Sequence, residues 1–226
     1  ALAVLMLAPA FSAAAQTVDV DKIRSGGKLY PVKTPTRAIQ DLDGMLDDFK
    51  VAPKGKALSA ADEEFNRKLK QDVIHGTFDI RELAKQSLAR HWKELTPQQQ
   101  DDFVKLLTDL LEEKALFSKE QSAAKSKGGG KYYVVYSGHK FYDAGQTRSF
   151  VRTKVVVPSE KIDIPLHYRL KKKGEEWKIY DVIVDEASLV DNYRYQFDSI
   201  IKKHGYADLV RRMSDKLAEI RSQRKS

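Results

Sequence analysis

Ile162-Asp163-Ile164-Pro165-Leu166-His167-Tyr168-Arg169-Leu170-Lys171-Lys172-Lys173-Gly174-Glu175-Glu176-Trp177-Lys178-Ile179-Tyr180-Asp181-Val182-Ile183-Val184 is the stretch that decides the fold. Ile162, Ile164, Leu166, Tyr168 and Leu170 alternate with Asp163, Pro165, His167, Arg169 and Lys171, the period of a strand with one buried face. Proline donates no backbone hydrogen bond, so Pro165 predicts an edge strand or a bulge. Lys171 to Glu176 reads as a hairpin tip, and Trp177 to Val184 returns as the fourth strand of a sheet. Period 2 places Tyr180, Val182 and Val184 on one face of that strand. Ile179, Asp181 and Ile183 fall on the other.

Upstream, Phe150 to Val157 is a β run ended by Pro158, and Tyr132 to Tyr136 is another, closed by Ser137-Gly138. Before the flexible link Gly128-Gly129-Gly130 the period is 3.6 instead. Gly26-Gly27 marks a loose start, and Thr34-Pro35 supplies a cap and a first-turn proline. Ile39, Leu42, Leu46 and Phe49 follow at helical spacing. Beyond the solvated break Pro53-Lys54-Gly55-Lys56, Ser59 with Glu63 opens a second helix, closed by His75-Gly76. Phe78-Asp79-Ile80 begins a third that runs through Leu83, Leu88 and Trp92. Thr96 as N-cap, Pro97 at the first helical position and Gln99 two further on start a fourth, with an apolar stripe through Phe103, Leu107 and Leu110. Downstream of the hairpin, Ser188 with Asp191 caps a helix carrying Leu189, Tyr193 and Phe197, stopped by Gly205. A last helix carries Leu209, Met213, Leu217 and Ile220.

Helices, then four antiparallel strands, then helices predict an α+β chain: a four-stranded antiparallel curved sheet covered on one face by helices, with an apolar cavity between them. The expected organisation is a single domain over residues 16–226. Within it lie a helical part at 34–125, the sheet at 131–187 and C-terminal helices at 188–222.

The chain opens Ala1-Leu2-Ala3-Val4-Leu5-Met6-Leu7-Ala8-Pro9-Ala10-Phe11, followed by Ser12-Ala13-Ala14-Ala15-Gln16. An apolar run of about 11 residues before small residues is the pattern of a secretory signal and its cleavage site. Residues 1–15 are therefore expected to be the remnant of a signal peptide, with the mature protein starting near Gln16 and exported to a bacterial periplasm. The alternative is a hydrophobic first helix of the fold. The absence of cysteine excludes thiolate catalysis, disulfides and lipoprotein acylation. A net charge of +8 permits anionic partners, but the basic residues are spread among acids and no nucleic-acid-binding motif accompanies them. Lipid headgroups or an acidic protein are the better match for this charge.

Catalytic and metal motifs do not emerge. His75, His91, His139, His167 and His204 form no HExxH and no i,i+4 pair, Gly128-Gly129-Gly130 lacks the ending of a P-loop, and there is no GxSxG. No metal site and no catalytic residue are expected. Asp181 is the one candidate general base, and its alternation with Tyr180 and Val182 predicts that it faces solvent, as does His167.

Trp177-Lys178-Ile179-Tyr180-Asp181-Val182-Ile183-Val184-Asp185-Glu186-Ala187-Ser188-Leu189-Val190 resembles the signature of the MlaC family, periplasmic phospholipid-binding proteins. The likeness continues through Asn192-Tyr193-Arg194, Gln196-Phe197, Ile200-Ile201 and Gly205. Upstream it includes Phe78-Asp79-Ile80, Leu83-Ala84, Trp92, Leu95-Thr96-Pro97-Gln98-Gln99 and Phe103. It covers roughly Val73 to Leu217, whereas Thr17 to Lys70 adds little to it. One departure concerns the turn: the family often has Glu-Gly-Val-Ser where this chain has Asp185-Glu186-Ala187-Ser188.

The resemblance implies a soluble carrier that shuttles phospholipid between an outer-membrane lipoprotein–porin complex and the substrate-binding ring of an inner-membrane ABC transporter. Phospholipid would be its cargo, with no cofactor and no catalysis. At about 0.8 kcal/mol per exposed methylene, about 30 acyl methylenes would cost on the order of 25 kcal/mol in water, so both tails must be buried. The strand residues expected to line them are Val151, Val155, Ile164, Leu166, Tyr168, Tyr180, Val182 and Val184. Phe103 and Leu107 from one helix, and Ala187, Leu189, Tyr193 and Phe197 from the C-terminal block, would close the space. Lysines and arginines at the mouth would meet the phosphate. Two other readings remain open: a small enzyme using the same cleft, and a binding or adaptor module with a filled core.

Overall fold

The structure is a computed structural model that describes residues 28–50, 52, 55–125, 133–157 and 161–223. The expected signal segment and its cleavage site, Gly26-Gly27, Pro53-Lys54, Gly128 to Gly130, Tyr132 and Pro158 lie outside the described residues.

Helix α1 spans Pro35–Asp47, and the Thr34 side chain accepts the Arg37 amide at 3.3 Å. Helix α2 spans Ala60–Thr77 behind Ser59, whose hydroxyl accepts the Asp62 amide at 3.1 Å. It outruns the expected stop at His75-Gly76 and ends against Phe78, which is already in extended conformation. Helix α3, Ile80–Leu88, is shorter than expected. Ala89 takes a positive φ of 50°, and Ala89–Glu94 continues as a 3-10 turn that carries Trp92. Helix α4, Pro97–Lys125, starts on a reciprocal cap: the Gln99 amide donates to Thr96 Oγ1 at 3.2 Å, and the Thr96 amide donates to Gln99 Oε1 at 2.9 Å.

Strands β1 (Tyr133–Phe141), β2 (Arg148–Val157), β3 (Ile162–Lys173) and β4 (Glu176–Val184) form an antiparallel meander. The sheet has five strands in the order β1 to β5, not four, because Ala187–Ser188 folds back on Ile183 and Val184 as β5. β1 runs past Ser137-Gly138 through a register irregularity, with Gly138 at φ 86°. Pro165 sits in the central strand β3 rather than at an edge. β3 outruns β4 there: the last partner of β4 is Leu166, opposite Val184, so the hydrogen bond Pro165 cannot donate is not required. Helix α5, Leu189–His204, is capped by Ser188 and ended by Gly205 at φ 83°, and α6 spans Tyr206–Gln223.

Partners across the ladders share a face. Val134, Val155 and Ile164 line up, as do Tyr136, Thr153, Leu166 and Val184, and so do Val151, Tyr168 and Val182. This inner face packs with Ile39 and Leu42 of α1 and Val73 of α2 in one apolar cluster. A second cluster gathers α3, α4, α5 and α6, with Ile74 of α2 and Trp92, around Leu83, Leu107 and Phe197. The chain passes between the two at Phe78-Asp79, where the Asp79 amide donates to the Ile179 carbonyl at 2.8 Å.

Candidate functional site

The β4 strand does not keep one alternation along its length. Its register against β3 shifts between Arg169, opposite Asp181, and Leu170, opposite Ile179, which leaves Tyr180 as the extra residue of a bulge. Trp177 and Ile179 therefore join Val182 and Val184 in the inner-face cluster. Tyr180 leaves that face and packs in the helical cluster instead. The expected set of Tyr180, Val182 and Val184 on one face is corrected at its first member.

Val151, Val155, Leu166, Tyr168 and Val184 lie together on the inner face, with Ile164 and Val182 partly buried against them. Phe103, Leu107, Tyr193 and Phe197 lie together in the helical cluster, with Leu189 packed at its side. The structure thus divides between two clusters the residues expected to surround one cavity. Ala187 is half-buried in β5, at the edge of the sheet. Ile39 and Leu42, which roof the inner face, were missed as site residues, because they fall in the segment that carries little of the family likeness. Their helical spacing was the available signal.

Polar side chains punctuate this roof. The Tyr136 hydroxyl donates to Asp43 Oδ2, and Thr36 Oγ1 lies 2.8 Å from His139 Nδ1. Burial lowers the pKa of His139, which favours its neutral form. Thr153 is buried on the same face, and its hydroxyl donates to the Leu166 carbonyl. Each buried group is paired, which removes the desolvation penalty of the contact while adding little net attraction.

Asp181 does not face solvent: it is 0 % exposed. Its carboxylate accepts the Val190 amide at 3.0 Å, Ser188 Oγ at 2.8 Å and Arg169 Nη1 at 2.9 Å. Burial pushes its pKa up against these donors. Its oxygens bind the start of α5 to the sheet, which is a structural role for the one candidate base. His167 is half-buried on the outer face, where Nδ1 accepts the Thr153 amide at 3.3 Å and the ring meets Phe150 edge-on at 5.3 Å. Among the described residues no three His, Asp or Glu side chains gather as a metal site.

Behind the sheet lies a separate concavity of about 320 Å3, lined by Tyr142, Arg148, Arg169, Tyr180 and, from the helices, Gln86, Val190 and Arg194. Arg148 Nη2 and Lys171 Nζ each lie 2.8 Å from the Glu82 carboxylate. Burial pushes the Glu82 carboxyl up, but the hydrogen bonds from Lys171, Gln86 and Arg148 outweigh it and hold the pKa at about 2.

A family model described as MlaC protein matches residues 47–215. No curated protein matches the chain. Among solved structures, the chain is similar to the phospholipid-binding protein from Ralstonia solanacearum in complex with a phospholipid. The TM-score is 0.62 at 22% identity, covering 83% of this chain and 98% of that one, a likeness of fold.

Proposed function

This chain belongs to the MlaC family, and we propose that it is a periplasmic carrier whose inner sheet face and α1 enclose the acyl chains of a phospholipid. The observation that carries this reading is the apolar wall of Val134, Val151, Val155, Leu166, Tyr168 and Val184, interrupted by Thr153 and closed by one short helix and the end of a second. Acyl chains entering there displace α1 and replace its apolar side chains, so the wall stays dry in both states. The phospholipid held by the Ralstonia protein, which shares this fold, supports the reading. The cargo would pass between an outer-membrane lipoprotein–porin complex and the substrate-binding ring of an inner-membrane ABC transporter. The protein would act without cofactor and without catalysis, since Asp181 is committed to α5 and lies off the inner face.

Native mass spectrometry of protein secreted into a bacterial periplasm and purified without detergent tests this directly. The expected result is a mature chain carrying phospholipid, identified after solvent extraction. A chain that is lipid-free after gentle purification, and that takes up none from vesicles, would contradict it.

A further inference from the structure

The concavity on the outer face is separated from the inner wall by the sheet itself, so it is not a continuation of the lipid space. Its chemistry is of another kind. Arg148 comes from β2, Arg169 from β3 and Arg194 from α5, and the three arginines line one cleft. Among the described residues no acidic one lines it with them. The carboxylates that hold these arginines stand behind the lining: Glu82 at 2.8 Å from Arg148, Asp181 at 2.9 Å from Arg169, and Asp191 at 2.7 Å from Arg194.

We propose that this cleft binds a phosphate-type oxyanion, a phosphate mono- or diester gripped by Arg148, Arg169 and Arg194. Here Lys171 shares Glu82 with Arg148, and the cations outnumber the carboxylates by one. The arginine side chains are 35%, 33% and 42% exposed, so each keeps part of its surface open to the cleft while bonded to its carboxylate. Each guanidinium presents five N–H donors in a planar fork suited to two oxygens of one phosphate, and the bonds just described use a minority of them. The heads are also pre-oriented. The Arg148 guanidinium lies 5.5 Å over the Tyr180 ring, which the β4 bulge turns towards the cleft, and Arg194 Nε donates to the Gln86 carbonyl at 3.0 Å. Tyr142, 51% exposed, stands at the rim as a further hydroxyl.

Two sources carry this chemistry: the diester of a lipid headgroup, and free phosphate or a soluble monoester. The test titrates the full chain with inorganic phosphate and, separately, with glycerophosphoethanolamine, at ionic strength held constant with chloride. Saturable binding of at least one probe is expected. Arg148→Lys and Arg194→Lys, which keep charge but lose the fork, should each weaken it about ten-fold. Lipid occupancy should not change in either variant, so failure here is distinguishable from failure of the carrier reading. Tighter binding of the diester identifies a headgroup, and tighter binding of inorganic phosphate identifies the soluble source. Should a lysine variant fail to fold, the wild-type protein still decides: the bound probe must protect Arg148 and Arg194 from phenylglyoxal. Absence of saturation with both probes, unchanged affinity in folded lysine variants, or no protection would overturn the proposal.

Discussion

The helical cluster and the inner-face cluster are both apolar, yet they are closed in different ways. In the first, Phe103 meets Phe197 edge-on at 5.6 Å and Tyr193 stacks on Phe197 at 5.3 Å, in a cluster drawn from helices α2 to α6. In the second, α1 lies over a wall that mixes valines and leucines with Tyr136, Tyr168 and Trp177, and hydrogen-bonded pairs such as Asp43 with Tyr136 and Thr36 with His139 cross the contact. Aromatic packing lost on opening is not replaced by water. A hydrogen-bonded pair adds only about 1 kcal/mol of net stability, so these pairs hold α1 weakly. On the carrier reading, the helical cluster is the foundation of the molecule and the α1 contact is the part that would yield to a phospholipid.

The largest effect expected from breaking this contrast is at Phe197. Phe197→Ala should cost about 3–5 kcal/mol in urea unfolding, while the folded fraction keeps its lipid. Glu82 comes next, since it joins α3 to Arg148 and Lys171 of the sheet. Its folded pKa lies below its ordinary value, so its contribution is fully present above pH 4.5 and is lost as pH falls towards about 2. Glu82→Gln should cost about 3 kcal/mol at neutral pH and flatten the stability profile across that acid window. Val182→Glu, on the partly buried rim of the inner wall, should cost about 1 kcal/mol of stability yet sharply reduce lipid loading, because a carboxylate would stand against acyl chains. Asp181→Asn should do the converse, costing about 1–2 kcal/mol and leaving loading intact. The smallest effect lies at the turn into β5, where Asp185 and Glu186 hold φ of 47° and 66°. Glu186→Gly relieves left-handed strain but frees the unfolded chain. The net should be a gain of about 0.5 kcal/mol in the same unfolding assay.

The α+β class and most helix starts were legible, because Thr34, Ser59, Thr96 and Ser188 cap through local hydrogen bonds between near neighbours. The strand β5 was not, since two residues give no period to read. The bulge at Tyr180 was hidden for a related reason: alternation describes one strand, whereas a bulge is a mismatch between two. That mismatch turned Tyr180 away from Val182, whereas Asp181 kept the face opposite Val182 and is buried there under Ser188 and Val190 at the start of α5. Apolar spacing showed that Phe103 and Val151 were core residues, but not that they belong to different clusters. Spacing carries no information about which element faces which.

A phospholipid bearing a photoreactive diazirine in its acyl chain, loaded into the protein and irradiated, tests the division between the two regions most directly. Mass spectrometry of the digested protein locates the adducts. The account predicts labels on Ile39 and Leu42 of α1 and on Val151, Val155 and Val182 of the sheet. Labels concentrated instead on Phe103, Leu107, Tyr193 and Phe197 would contradict it, and would make the helical cluster the lipid-binding space.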